Sequence, residues 1–295
     1  MMYSLKRCLS VLLIAILVSS CSRGMEPEQR QRAQQTPSEI NIYSKDQSQS
    51  GTSGTIVKGT TPPLEGGAEK LGRPKELSDN RTLVNKYPKI MALHASGKTN
   101  QVALTFDDGP DRRFTPQVLD VLKKHGVKAT FFLVGSRVTG HPDVTQRIHK
   151  EGHIIGNHTY WHPKIFAESI GRMKWEANET DKVIRDIVGY SPKLFRAPYG
   201  GLNESRVEGL GAMNFSVIGW SVDSMDWKQI DSAAVQKNVM SKIHPGAIIL
   251  MHSGGHWTQD LSGMVEAVDE LIPALKKKGL TFVTVSQLLG IPHNK

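Results

Sequence analysis

Five short segments of this 295-residue chain carry side chains of the kinds that hold metals and move protons. Asp107 and Asp108 stand side by side in Asp107-Asp108-Gly109-Pro110. His158 and His162 flank Thr159-Tyr160-Trp161, and Arg196 opens Arg196-Ala197-Pro198-Tyr199-Gly200. Asp223 and Asp226 lie in Asp223-Ser224-Met225-Asp226-Trp227, and His252 follows Leu250-Met251. One carboxylate and two imidazoles make a three-ligand set that leaves coordination positions open, as catalytic metal sites require. The only cysteines, Cys8 and Cys21, lie near the N-terminus, so beyond them there is no thiolate ligand, cysteine nucleophile or disulfide. Oxygen and nitrogen ligands suit Zn²⁺, and Co²⁺, Mn²⁺ or Fe²⁺ would also fit. Two adjacent aspartates do not easily share one task. One can bind a metal while its neighbour takes a proton from water.

Each segment has a plainer explanation when taken alone. An Asp-Asp-Gly-Pro run reads as a turn, a lone His pair as surface or core, Arg196 as a structural ion-pair partner and His252 as a strand-end histidine. What outweighs these readings is where the segments fall. From about residue 99 the chain alternates short apolar strands with amphipathic helices. Strands are expected at residues 102–106, 129–134, 154–156, 194–196, 215–220, 247–251 and 281–285. Helices are expected from Thr115 to Gly126 and over residues 142–150, 168–188, 203–211, 232–243 and 260–278, with Thr115 as N-cap and Pro116 in the first turn. Such a repeat gives a parallel sheet, because each helix returns the chain to start the next strand in the same direction. Periodicity alone leaves a doubly wound sheet and a barrel equally open, and in both the chemistry sits at the carboxyl ends of the strands. All five reactive segments follow a strand.

The N-terminus reads as an address. Lys6 and Arg7 precede a short apolar run from Leu12 to Val18, which is shorter than the roughly 20 apolar residues of a membrane-spanning helix. Val18-Ser19-Ser20-Cys21 then resembles a bacterial lipobox, which implies a signal over residues 1–21 and lipidation of Cys21. Residues 22–66 are rich in Gln, Ser, Thr, Gly, Pro and Glu and read as a disordered tether. As a flexible coil it would span roughly 35–40 Å on average. Residues 67–98 read as a transitional segment packing on or leading into the domain, and residues 99–295 as the domain itself. The expected location is the extracellular face of a bacterial plasma membrane. The net charge of +9 is scattered, with no basic stripe of the kind nucleic-acid binding needs, and no protein partner is evident.

Taken together, TFDDGP at 105–110, HTYWH at 158–162, RAPYG at 196–200, DSMDW at 223–227 and LMH at 250–252 resemble the five ordered motifs of the polysaccharide deacetylases that share the NodB homology domain, carbohydrate esterase family 4. The resemblance covers about residues 99–290 and no motif residue departs from it. It implies a distorted (β/α)7 barrel of the NodB type. It implies metal-dependent N-deacetylation of an acetylated polysaccharide, with Asp108, His158 and His162 as metal ligands. Asp107 would be the general base, steadied by Arg196, and His252 the general acid, oriented by Asp226. The Tyr199 backbone N–H would stabilise the oxyanion, and Trp227 and Leu250 would wall the acetyl pocket. Asp223 is expected to be structural and His256 to be a mobile surface residue beside the cleft. With a lipid anchor, peptidoglycan N-acetylglucosamine is the expected substrate. The alternatives are chitin oligomers, an O-acetyl xylan ester, and a non-catalytic polysaccharide-binding lipoprotein.

Overall fold

The computed structural model describes residues 80–97 and 99–295, together with Thr61, Leu64, Glu65 and Gly67. The signal segment, Cys21 and most of the expected tether lie outside the described residues.

Helix α1 (Asn80–Lys86) and strand β1 (Met91–Ala92) come first. The repeat then runs β2 (Gln101–Gly109), α2 (Thr115–His125), β3 (Thr130–Leu133), α3 (Gly135–Gly140), α4 (Pro142–Lys150), β4 (Ile154–Asn157), α5 (Ile170–Val188) and β5 (Leu194–Phe195). It continues with α6 (Glu204–Ala212), β6 (Ser216–Ile218), β7 (Val222–Asp223), α7 (Ser232–Met240), β8 (Ile248–His252), α8 (Ser262–Lys277), β9 (Thr281–Phe282) and α9 (Val285–Leu289). The sheet order is β1-β6-β5-β4-β3-β2-β8-β7, with β9 added to β2, and every named strand pair is parallel. β6 and β7 lie near opposite ends of this order, yet only Gly219, Trp220 and Ser221 separate them in sequence. So short a link forces the sheet to curl. A bridge between His94 and Ala247 ties the β1 edge to the start of β8 as well. The result is a distorted βα barrel.

Period-two alternation divides the strand residues between a helix-packed face, where Phe195 and Val217 form a separate cluster with Ala177 of α5 and Leu210 of α6, and the barrel interior. Val102, Leu104, Phe106, Phe131, Leu133, Ile249 and Met251 face the helices, packing with Leu119 and Leu122 of α2 and with Leu271 and Leu275 of α8. Ala103, Phe132, Leu194, Ile218 and Ile248 form the other cluster, which Val285 and Leu288 of α9 close. Continuing each inward set along its strand leads to Asp107, Arg196 and His252. The alternation that builds the core therefore also aims these three polar residues at one space.

Four differences from the sequence expectation have physical reasons. The sheet begins before residue 99, because β1 is only two residues long and shows no alternation. The run expected as one strand over 215–220 ends at Ile218, and the chain re-enters the sheet as β7 beside β8. The last strand stops at Phe282, where Thr284 forms a capping box with Gln287 and starts α9. Thr115 does not cap α2: its hydroxyl donates to the Ser253 carbonyl at 2.8 Å and accepts from Asp111 N–H at 2.9 Å. Asp111 serves the helix start instead, accepting from Phe114 N–H at 2.7 Å.

His153, just before β4, is buried against Phe131 and accepts the Ala129 N–H on Nδ1 at 3.1 Å. Burial, reinforced by Lys128, lowers its pKa to about 4. The unfolded ring takes up a proton below about pH 6.5 and the folded ring only near pH 4. This residue's stabilisation is therefore complete above pH 6.5 and falls by up to roughly 3 kcal/mol as the pH drops to 4. His153→Gln is expected to flatten the acid side of stability measured by urea unfolding at pH 7 and pH 5. An unchanged slope would contradict this.

Candidate active site

The first site segment depends on a break in strand regularity. Neighbouring residues of a strand point to opposite faces, so Asp107 and Asp108 should diverge. β2 shifts register against β3 between Phe106 and Gly109, and Asp108 adopts a left-handed backbone with φ 65°. A bulge of this kind re-aims a side chain. Both carboxylates thereby reach the same cavity, and each is nearly fully buried.

The second segment is a tight turn after β4. Asn157 accepts Thr159 N–H at 2.9 Å and donates to Asp181 and to the Ala177 carbonyl, both at 2.8 Å. Glu176 of α5 accepts Tyr160 N–H at 2.7 Å and Trp161 N–H at 2.8 Å. Burial raises the Glu176 carboxyl above its ordinary range, opposed by these two N–H groups and by Arg172. The turn holds Thr159 at φ 66° and His162 at φ 59°. Residues in such conformations cost on the order of 1–3 kcal/mol each and persist only where the surroundings fix them.

That turn brings His158 Nε2 to 3.2 Å and His162 Nε2 to 3.0 Å from Asp108 Oδ1. One atom from each of Asp108, His158 and His162 lies within 4.8 Å of the others, and all three residues are buried. Asp108 Oδ1 and His162 Nε2 have no hydrogen-bond partner. Two buried polar atoms 3.0 Å apart and without a hydrogen-bond partner are costly unless one further group binds both. A divalent cation fits that description. The outer nitrogens support it: His158 Nδ1 donates to the Arg196 carbonyl at 2.8 Å, and His162 Nδ1 meets the Tyr199 hydroxyl at 3.0 Å. Both contacts leave Nε2 turned inward, the arrangement in which metal-bound histidines are oriented by outer partners. Burial alone would raise the Asp108 carboxyl, but the charge and contacts of His162 and His158 hold it well below the usual carboxylate range.

Asp107 lies alongside, with Oδ2 at 3.8 Å from His158 Nε2 and Oδ1 at 2.7 Å from Arg196. Arg196 also donates to Thr105 Oγ1 at 2.7 Å, the Ile218 carbonyl at 3.1 Å and the Gly219 carbonyl at 3.0 Å. Its guanidinium stacks 4.1 Å from the Phe132 ring centre. Burial lowers the Arg196 pKa and Asp107 opposes the shift. On the far side, His252 is the strand partner of Asp107, its backbone N–H and Nδ1 each 2.7 Å from Asp226. Nδ1 bound to Asp226 leaves Nε2 as the ring's other nitrogen. Tyr199 occupies a 3-10 turn at φ 59°, Trp227 and Leu250 are buried, and Asp223 accepts Met225 N–H at 2.9 Å as a strand-end turn. His256 is half-buried, its backbone N–H bound to Gln259 and its ring to Thr258.

A family model for polysaccharide deacetylases matches residues 94–218. A peptidoglycan-N-acetylglucosamine deacetylase of Bacillus cereus is 44% identical over 209 residues, which cover 70% of this chain and 73% of that protein. The chain belongs to the polysaccharide deacetylase family. The peptidoglycan-N-acetylmuramic acid deacetylase PdaC of Bacillus subtilis is 41% identical over 221 residues, 75% of this chain and 45% of the relative, so the match spans less than half of that longer protein. A solved structure of a peptidoglycan N-acetylglucosamine deacetylase, bound to an N-hydroxybenzamide derivative, superposes with a TM-score of 0.69 at 40% identity. It covers 73% of this chain and 99% of that one.

For this deacetylase the structure adds residues that sequence reasoning missed. Glu176 and Asp181 lie on the buried face of α5 beside Met173, Ala177 and Ile184, so carboxylates inside an apolar helical stripe were the available signal. Arg137 of α3 is fully buried and donates to the Asp108 carbonyl at 2.6 Å and to the Gly255 carbonyl. Gly254 makes room for this, since a Cβ there would lie 2.4 Å from the Asp108 carbonyl oxygen. Nothing in the sequence marks Arg137, because a six-residue helix shows too little periodicity.

Removing Arg196 would strand Asp107 as an unpaired buried charge. Arg196→Leu is expected to destabilise the protein by roughly 3–5 kcal/mol in urea unfolding. Arg196→Lys should recover little of this, lacking the planar fork that reaches four acceptors. A loss under about 1 kcal/mol would mean that the pair is not held as described.

Proposed function

We propose that this polysaccharide deacetylase hydrolyses the N-acetyl groups of peptidoglycan N-acetylglucosamine, using a divalent cation, Zn²⁺ by preference, held by Asp108, His158 and His162. The observation that carries the reading is the convergence of three buried ligand atoms beside an aspartate already committed to Arg196. Bound there, the cation would supply Lewis-acid polarisation of the acetyl carbonyl and a lowered pKa for the attacking water.

The chain's own groups then divide the work. Asp107 takes the proton as water adds to the carbonyl carbon, and Arg196 holds its carboxylate in place. The Tyr199 N–H donates to the oxyanion that forms. His252 gives its proton to the sugar nitrogen as the carbon–nitrogen bond breaks, with Asp226 holding the ring in place through Nδ1. An amine anion is too poor a leaving group to depart without that proton. The products are acetate and a free amine on the sugar. Trp227 and Leu250 bound the space for the acetyl methyl.

Peptidoglycan is favoured as substrate by the names of the relatives, which act on its N-acetylglucosamine or N-acetylmuramic acid. We place the enzyme on the outer face of the plasma membrane, held by a lipid on Cys21. No helix among the described residues is long and apolar enough to cross a membrane. Two or more acyl chains would give stable anchoring without such a helix. A positive chain of +9 also suits an acidic wall.

One fractionation tests reaction and location together. Washed membranes from cells making the full chain are incubated with peptidoglycan and with N-acetylglucosamine oligomers, before and after chelation and zinc or cobalt add-back. Amine release should sediment with membranes, vanish on chelation, return with metal and favour peptidoglycan, while Cys21→Ala should move it to the soluble fraction. Chelator-resistant release would sink the metal reading, and soluble wild-type activity would sink the anchor.

A further inference from the structure

The segment ahead of the barrel touches the metal-ligand turn at several points. Leu64 is 4% exposed, and Gly67 N–H donates to its carbonyl at 3.0 Å, closing a turn. Glu65 N–H donates to the Trp161 carbonyl at 2.8 Å, and its carboxylate pairs with Arg172 at 2.9 Å. Arg172 in turn contacts Glu176, the carboxylate that holds Tyr160 and Trp161. Thr61 reaches His141 at 2.9 Å. At the end of the turn the Gly67 carbonyl accepts the Tyr199 hydroxyl at 2.9 Å. That hydroxyl is the one 3.0 Å from His162 Nδ1.

The direction of these bonds matters. A backbone carbonyl can only accept, so the Tyr199 O–H donates to Gly67 at 2.9 Å, with the His162 carbonyl a longer second acceptor at 3.5 Å. Its oxygen is then the acceptor for His162, and Nδ1 must carry the proton. A neutral imidazole protonated on Nδ1 has its lone pair on Nε2, the atom that faces Asp108. Without the Gly67 carbonyl, the hydroxyl could rotate and donate to Nδ1. The ring would then carry its proton on Nε2 and could not ligate.

We propose that the turn Leu64–Gly67 is a positioning element of the metal centre, its Gly67 carbonyl fixing the His162 tautomer through Tyr199. The inference rests on the reading that Asp108, His158 and His162 hold a divalent cation. It gives the chain before the barrel a task besides reach. Leu64 and Glu65, at the end of the segment read from sequence as tether, and Gly67, the first residue of the segment expected to pack on the domain, become part of the site's outer wall.

The test is zinc affinity of the full chain, measured by competition with a chromophoric chelator, beside the melting temperature of the metal-free form. A Cβ at residue 67 would meet no atom within 4 Å, but φ of 81° is hostile to the β-branched side chain of Gly67→Val, so the carbonyl must swing away. Leu64→Asp unseats the turn from outside the site. Tyr199→Phe deletes the hydroxyl. Outer partners of metal ligands typically contribute about 10- to 100-fold in affinity. Each variant is expected to weaken zinc by about tenfold or more at a temperature where its metal-free form is still folded. Gly67→Val combined with Tyr199→Phe should be no weaker than Tyr199→Phe alone, because both remove one link. Wild-type affinity in Gly67→Val and Leu64→Asp, or additive losses in the double variant, would overturn the proposal while leaving the metal reading intact. A wild-type chain that binds no zinc would instead remove the metal reading, and this inference with it.

Discussion

Arg196 is a permanent cation with 1% of its surface exposed, and such a charge is tolerated only where every donor finds an acceptor. Its partners come from three strands or their ends: Thr105 and Asp107 of β2, the Ile218 carbonyl of β6 and Gly219 beyond it, while its own backbone carbonyl holds His158 after β4. The barrel must curl for these groups to surround one guanidinium. Once they do, Asp107 is held in place beside Asp108, His158 and His162. Neither the proposed base nor the orientation of His158 can be understood apart from that pair.

The same economy governs the rest of the cavity. Asp107, Asp108, His158, His162, Asp226 and His252 are all at most 3% exposed, so each must be compensated locally. Asp226 is met twice by His252. Asp107 is met by Arg196. Asp108 and His162 alone retain atoms without a hydrogen-bond partner, and those atoms point at each other. These two atoms are among those that the proposed cation would bind.

Much of this was legible in the sequence, for reasons that are specific. Val102 to Phe106 and Ile248 to Met251 are short apolar runs, the helix after Ser169 is amphipathic, and the reactive residues follow strands, which fixes their end of the barrel. Short elements were illegible. β1, β7, α3 and α9 run for two to six residues and owe their structure to neighbours, as Met91 and Ala92 do to β6. The outer shell was illegible for another reason. Glu176, Arg137 and Gly67 act through backbone groups of distant residues, so their chemistry depends on a proximity that no local spacing records. Asp108 shows the limit from the other side. Its residue type suggested ligation, but only the bulge with φ 65° explains how it shares a cavity with Asp107.

In the proposed mechanism these two adjacent aspartates are given separate tasks by their surroundings, Asp107 by Arg196 and Asp108 by the histidine pair. The most direct measurement is zinc affinity and single-turnover deacetylation of Asp107→Asn and Asp108→Asn, which change charge but hardly shape. Asp107→Asn should bind zinc near wild-type strength and lose about 10²- to 10⁴-fold in turnover, the usual worth of a general base. Asp108→Asn should lose zinc first, with activity partly restored by excess metal. Equal loss of zinc in both, or full turnover in Asp107→Asn, would contradict the division of labour.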